Sequence, residues 1–382
     1  MGQSDSIQPV TGRDRILALD VLRGFAMVGV LLAYCLWSLG TAPEESWPSV
    51  DKWLGPVLGF VIDGKFYTIL AFLFGLGFSL QLERTSDEPG AVRIYCRRLA
   101  VLAVIGLLHA LMLRNGDILA PYAITGFLLV PLRKLSDRKL IVIAFAALLV
   151  PYAARWAWGA SGIPMPDRPQ LESAPYLVEN FAWVRYWYET AIFTWPTNLT
   201  LFLFGYCAGR NRLIVKLAQR PKTLGAIALA GLLASLTFYL MMRRLAAGSS
   251  LTAVDRTLGG LSFTFHCWGL SSAYAATLLL ALRSKAGAAL VSPLRAIGRT
   301  ALTNYLMQAA TIVPVCILFG LFDRFTPTTS LLLALVLVAF QLPASILWLR
   351  RFRFGPAEWV WRLLTYGRIP PLRIEAGDYA PI

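Results

Sequence analysis

The chain has 382 residues, 57% of them hydrophobic and only 15% charged, with a positive mean hydropathy. That balance excludes an ordinary soluble domain and reads as a polytopic membrane protein. The formal net charge of +15 raises the question of a nucleic-acid partner, but the basic residues are placed as a topology signal, so no nucleic acid is expected.

A membrane-spanning helix needs roughly 20 apolar residues. Such runs recur near 16–40, 57–82, 98–113, 117–132, 139–158, 195–209, 223–242, 258–282, 300–321 and 328–349. The predicted fold is all-α: a transmembrane helical bundle of about ten spans. No repeat of 20 to 50 residues and no low-complexity linker divides it, so residues 1–382 read as a single transmembrane domain. With the N-terminus cytoplasmic, 25 of the 36 Lys and Arg fall in inner segments and nine in outer ones, Arg23 and Lys65 lying inside helices. That bias places both termini on the cytoplasmic side of the membrane. The five cysteines are odd in number and lack metal spacing, so neither a disulfide framework nor a metal site follows.

Taken in chain order, the first run ends in small residues like a cleaved leader, yet "LDVLRG" puts charges where an uncharged stretch would begin; a retained signal-anchor fits better. Asp20 and Arg23, three apart, share a helix face, either as a neutralised pair or as part of a donor site. In "IDGKFYTILAFLFGLGFSLQLER", Asp63 and Lys65 fall near the outer surface, and Gly75 and Gly77 allow close helix approach.

The densest polar cluster is "LLHALMLRNGDILAPYA", residues 107–123. His109 ends one helix, 114–116 makes a turn, and Asp117 opens the next, where a helix N-terminus welcomes negative charge. So short a turn brings His109 and Asp117 to similar depth. An imidazole beside a carboxylate is what a general base needs; the plainer reading is a capping Asp with an interfacial His.

Residues 159–195 are expected to form an extracytoplasmic amphipathic loop, with Trp183, Trp187 or Tyr188 also serving as a stacking lid. The only other histidine, His266 in "TFHCWG", is either packed or site-lining. "AIGRTALTNYLMQ" puts Arg299 at an inner boundary and carries Asn304, Tyr305 and Gln308 into a helix, where Asn304 and Gln308 share a face and are placed to hydrogen-bond across the bundle. "FGPAEWVWRLLTYGR", 354–368, reads as a cytoplasmic interfacial helix, too short to cross.

Five segments, "LDVLRGFAMVGVLL", "GKFYTILAFLFGLGFSL", "RRLAVLAVIGLLHALMLRNGDILAPYAITG", "GRTALTNYLMQ" and "LWLRRFRFGPAEWVWRLLTYG", resemble in order the landmarks of the YeiB-like family of bacterial integral membrane proteins (domain-of-unknown-function group 418), over residues 15–373. That family is grouped with the transmembrane acyltransferases, whose relatives include the heparan-glucosaminide N-acetyltransferases. The resemblance implies acyl transfer from cytosolic acyl-CoA (acetyl-CoA) to an acceptor across the membrane, although a transport role has also been suggested for the family.

On the matching positions, His109 and Asp117 become the catalytic pair. Asp20, Arg23, Lys65, Tyr122, Asn304, Tyr305 and Gln308 become candidate substrate contacts. Arg97, Arg98 and Arg299, at inner boundaries, become candidate contacts for the CoA phosphates. The competing function is a transporter or flippase for a small solute or lipid, with His109 and Asp117 as a proton relay. The expected partners are membrane lipids, acyl-CoA and an extracytoplasmic acceptor (sugar, lipid or small molecule), with a homodimer left open.

Overall fold

The computed structural model describes residues 17–39, 41–84, 90–113, 116–169, 175–248 and 252–374. Arg114 and Asn115 of the 114–116 turn, and residues 170–174 of the 159–195 segment, lie outside the described residues. Among the described residues there is no β-strand, only two isolated bridges, and the regular structure is helical.

In order, the helices are α1 (Leu17–Ala33, continuing as a π-turn over Tyr34–Ser38), α2 (Ser49–Ile62), α3 (Lys65–Arg84), α4 (Ala91–Met112), α5 (Leu119–Leu132), α6 (Asp137–Ser161), α7 (Tyr176–Glu189), α8 (Trp195–Arg210), α9 (Leu213–Ala218) and α10 (Pro221–Ala246). They continue as α11 (Ala253–Ala281), α12 (Lys285–Val291), α13 (Leu294–Arg299), α14 (Ala301–Phe319), α15 (Pro327–Arg351) and α16 (Pro356–Tyr366).

All ten expected spans are helical, and the protein is an all-α polytopic membrane bundle. Among the described residues, seven helical stretches are long and apolar enough to cross a bilayer unaided: Leu17–Trp37, Ser49–Leu82, Ala91–Met112, Asp137–Ser161, Pro221–Ala246, Ala301–Phe319 and Pro327–Arg351. The other three fall short for different reasons. α5 and α8 have 14 and 16 residues, which at about 1.5 Å per residue do not reach through a hydrocarbon core of about 30 Å. α11 has 29 residues but carries Asp255, Arg256, His266 and a run of Ser and Thr.

The second expected span also differs in form. The helical stretch starts at Ser49 and breaks at Asp63–Gly64, where Gly64 sits at φ +74°, a left-handed conformation that glycine adopts at no steric cost. The Asp-Gly pair was the sequence signal for this turn.

The chain divides into two compact units, one of Ala71–Leu213 with the chain from Arg350 on, the other of Leu17–Leu70 with Ile214–Leu349. In the first unit α4 pairs with α5 and α6 with α8, the latter pinned by Thr200 donating to the Ala144 carbonyl at 3.0 Å. Gly75 is a close-approach position, since a Cβ there would lie 1.9 Å from the Phe202 carbonyl oxygen of α8, whereas at Gly77 nothing lies within 4 Å. The C-terminal α16, 11 residues long, docks on α4. Its Trp361 indole N–H donates to the Arg98 carbonyl at 3.0 Å, and the Arg98 guanidinium lies 4.2 Å over the Trp361 ring.

In the second unit α10 packs along α11, α1 packs on α13, and α14 is tied to α15. The break between α2 and α3 frees backbone carbonyls in an apolar setting, where each unsatisfied group is costly. Side chains supply donors on both sides of the break. Lys65 Nζ donates to the Gly59 carbonyl at 3.0 Å, Tyr274 to Val61 at 2.9 Å, the Cys267 thiol to Asp63 at 3.2 Å, and Ser271 to Lys65 at 2.8 Å. Three of these four donors come from α11, which accounts for its polar composition.

Candidate active site

The α4–α5 turn is built on a close approach. Gly106 lies one turn before His109 on the same face of α4, and a Cβ at Gly106 would fall 2.4 Å from the Ala120 backbone nitrogen and 2.6 Å from Asp117 Oδ2. With that space clear, the first turn of α5 lies directly against α4. Asp117 Oδ2 accepts the Ala120 N–H at 2.7 Å, taking up one of the orphan donors of the helix start. Its other oxygen, Oδ1, faces His109 Nδ1 at 3.3 Å, and both side chains are only 3% exposed. Cap and pair are therefore one arrangement.

A half-open cleft of about 200 Å³ lies beside this pair. Asp117 and Pro121 form one side, and Val184, Trp187, Tyr188 and Trp195 the other. His109 does not line it; the neighbouring Ala110 does, so Asp117 stands between the imidazole and the cleft. Apart from Trp195, which opens α8, the aromatic wall comes from α7, which falls in the segment expected to be amphipathic and exposes Leu177, Val178 and Phe181.

Helix α7 is held over the end of α4 through carbonyls that the helix leaves unmatched. The Tyr176 hydroxyl donates to the Leu113 carbonyl, and the buried Asn180 amide to that of Leu111 at 3.4 Å. Of the three aromatics expected as a lid, Trp187 and Tyr188 line the cleft, while Trp183 stands behind, stacked on Trp187 with centroids 6.1 Å apart. Burial, and then the negative charge of Asp117, raise the Tyr188 phenol above its ordinary pKa.

The remaining candidates are placed elsewhere. Tyr122 is buried between Phe74 and Phe202, at 6.0 and 5.3 Å between centroids. Arg98, besides its stacking on Trp361, donates to Gln81 Oε1 at 2.9 Å, whereas Arg97 is exposed near Gly367.

In the second unit Arg23 donates to the buried Asp20 at 3.1 Å, and Lys65, fully buried, caps Gly59. Asn304 donates to Thr300 Oγ1 at 2.8 Å and Ser345 Oγ at 3.0 Å, and Gln308 to Gln341 at 3.3 Å. Tyr305 is buried and Arg299 half-buried. His266 is packed: its Nδ1 meets the Ser235 hydroxyl at 2.7 Å, and its ring sits 4.9 Å from Phe60 and 5.2 Å from Tyr239. Trp195, Val184 and Gly106 were missed in the sequence. Only Gly106 carried a signal there, as a glycine one turn from the histidine.

A helical bundle of membrane length, with a buried histidine–carboxylate pair beside an aromatic cleft, defines a polytopic membrane protein with one candidate reactive site. The family profile described as "Protein of unknown function (DUF418)" matches residues 208–368. A 39.9 kDa protein from the amylase 3′ region of Bacillus acidopullulyticus, named as uncharacterized, is 33% identical over 97% of this chain and 99% of its own length. YxaH of Bacillus subtilis (strain 168) is 27% identical over 94% and 96%, and YeiB of Escherichia coli (strain K12) 26% over 92% and 96%. The chain belongs to this YeiB-like DUF418 family. No solved structure matches it.

Proposed function

We propose that the chain is a membrane-bound acyltransferase of the bacterial cytoplasmic membrane, taking an acyl group from cytosolic acyl-CoA to a hydroxyl or amine of an extracytoplasmic acceptor. The observation that carries this reading is the buried His109–Asp117 pair, 3.3 Å apart, at the edge of a cleft large enough for a small acceptor. A hydroxyl seated there gives up its proton to the pair as its oxygen attacks the thioester carbonyl. The C–S bond then breaks, and the proton passes on to the CoA sulfur.

The pair works as a unit in this scheme: Asp117 fronts the cleft and receives the proton, and His109 Nδ1 behind it shares that proton with the carboxylate. Among the candidate phosphate contacts, Arg97 suits an incoming donor better than Arg98, whose guanidinium is engaged by Gln81 and Trp361. Arg98 and His109, eleven residues apart, share one face of α4 at about 16 Å, so the donor has to bridge that length.

A second reading, a transporter or flippase with the pair as a proton relay, is favoured by the broken α2–α3 helix with a fully buried Lys65, a form that transporters use at substrate sites. Incubation of the purified full-length protein with labelled acetyl-CoA separates the two. CoA release that depends on His109 supports the transferase; solute or lipid flux in vesicles without CoA release supports the transporter.

A further inference from the structure

We infer that the cleft beside Asp117 receives a small amino alcohol through its substituted ammonium group. This deepens the acyltransferase reading and rests on it for the role of the ligand, though not for the binding itself. Three aromatic rings, Trp187, Tyr188 and Trp195, line a space of about 200 Å³ together with one carboxylate. Tyr188 and Trp195 meet nearly at right angles, with centroids 5.1 Å apart and planes at 77°, so they form a corner and not a flat stacking shelf. A ring corner backed by negative charge is the chemistry that holds a substituted ammonium, because the cation is drawn to ring faces within about 6 Å and gives up little hydration to enter.

The charge of the described lining suits a cation. Asp117 is the sole charged side chain among the described lining residues, and none of them is Lys or Arg. Arg185, the arginine of α7, is exposed and paired with Glu189 at 2.7 Å.

Size sets the rest. A cavity of about 150 Å³ holds benzene, so this cleft takes one compact headgroup and excludes a bulky ring system. Where the nitrogen is quaternary, as in choline, it has no lone pair to acylate, so the hydroxyl is the nucleophile. The O–H proton goes to the His109–Asp117 pair, the new ester C–O bond forms as C–S breaks, and the proton leaves on CoA.

The test uses the full-length protein in detergent, with choline as probe and its uncharged isostere 3,3-dimethylbutan-1-ol as competitor. Equilibrium dialysis of labelled choline is expected to show saturable binding, with the isostere competing at least about tenfold less well, the ratio that about 1.4 kcal/mol of cation–ring attraction gives. Tyr188→Leu and Trp195→Leu are expected to lose that discrimination, and Asp117→Asn to weaken choline while leaving the isostere as it was.

Equal competition by the isostere, no saturable choline binding, or undiminished discrimination in a Tyr188→Leu variant of unchanged melting temperature each overturns the inference. The two proposals fail separately. His109-dependent CoA release without choline binding removes the ammonium site and keeps the transferase, whereas choline binding without any CoA release removes the transferase and keeps the site.

Discussion

"IDGK" at 62–65 and "RNGD" at 114–117 are both polar interruptions of apolar sequence, each with an Asp and a Gly, yet the structure uses them differently. At the first, polar groups are consumed by backbone: Lys65 closes on Gly59, and α11 supplies Tyr274, Cys267 and Ser271 to the carbonyls of Val61, Asp63 and Lys65. At the second, the Ala120 N–H takes one oxygen of Asp117, and the other stays with an imidazole beside an open cleft. Charge in a membrane helix is therefore not by itself a sign of chemistry. What separates the two is whether a cleft reaches the charged group.

The sharpest way to break this comparison is His109→Ala. It is expected to lower CoA release by about 10²–10⁴-fold, the usual range for a general base, in a protein that still folds. If turnover survives, the two interruptions are alike and both structural.

Gly106→Ala comes next. Its methyl would collide with the start of α5 and with Asp117, so turnover should fall on the order of 10²-fold, with a stability loss of about 1–3 kcal/mol in denaturant unfolding. Gly77→Ala, with open space around it, should change neither.

At the other interruption, Lys65→Met removes one of two donors to the Gly59 carbonyl, which keeps the Asp63 N–H at 3.2 Å, so the cost should be about 0.5–1.5 kcal/mol, the net worth of one hydrogen bond, read as a lower melting temperature.

The smallest effect concerns Tyr188. Its pKa is raised in the folded protein, so the native state keeps the phenol proton over a window where the unfolded chain, with a pKa of about 10, has lost it. The contribution is fully present below that value and is lost as pH rises through the folded pKa. Tyr188→Phe should flatten stability above pH of about 10 and leave it unaltered at neutral pH.

The helices were legible because a spanning run of about 20 apolar residues has few other uses, and His109 with Asp117 was legible because a short turn leaves two flanking side chains little choice of depth. The break at Gly64 was written in its Asp-Gly pair, but the length of the apolar run after it masked α2. The aromatic wall was half legible. Trp187 and Tyr188 lay in a segment recognisable as amphipathic, whereas the bonds that hold it over the site, from Tyr176 to Leu113 and from Asn180 to Leu111, join residues more than 60 positions apart. Local pattern carries no trace of such pairs. The same holds for Arg98, whose boundary position suggested a phosphate contact and whose partners, Gln81 and Trp361, come from distant helices.

The clamp of Trp361 on Arg98 has a mechanical consequence. Between Arg98 and His109 the helix α4 contains no proline and no π-turn, the usual points at which a helix bends. Eleven residues are very nearly three full turns, so the two side chains keep one heading, and a twist imposed at the Arg98 end arrives at the imidazole undiminished. α16 thus grips the near end of a straight rod whose far end, wedged against α5 at Gly106 and tied to α7, carries the histidine.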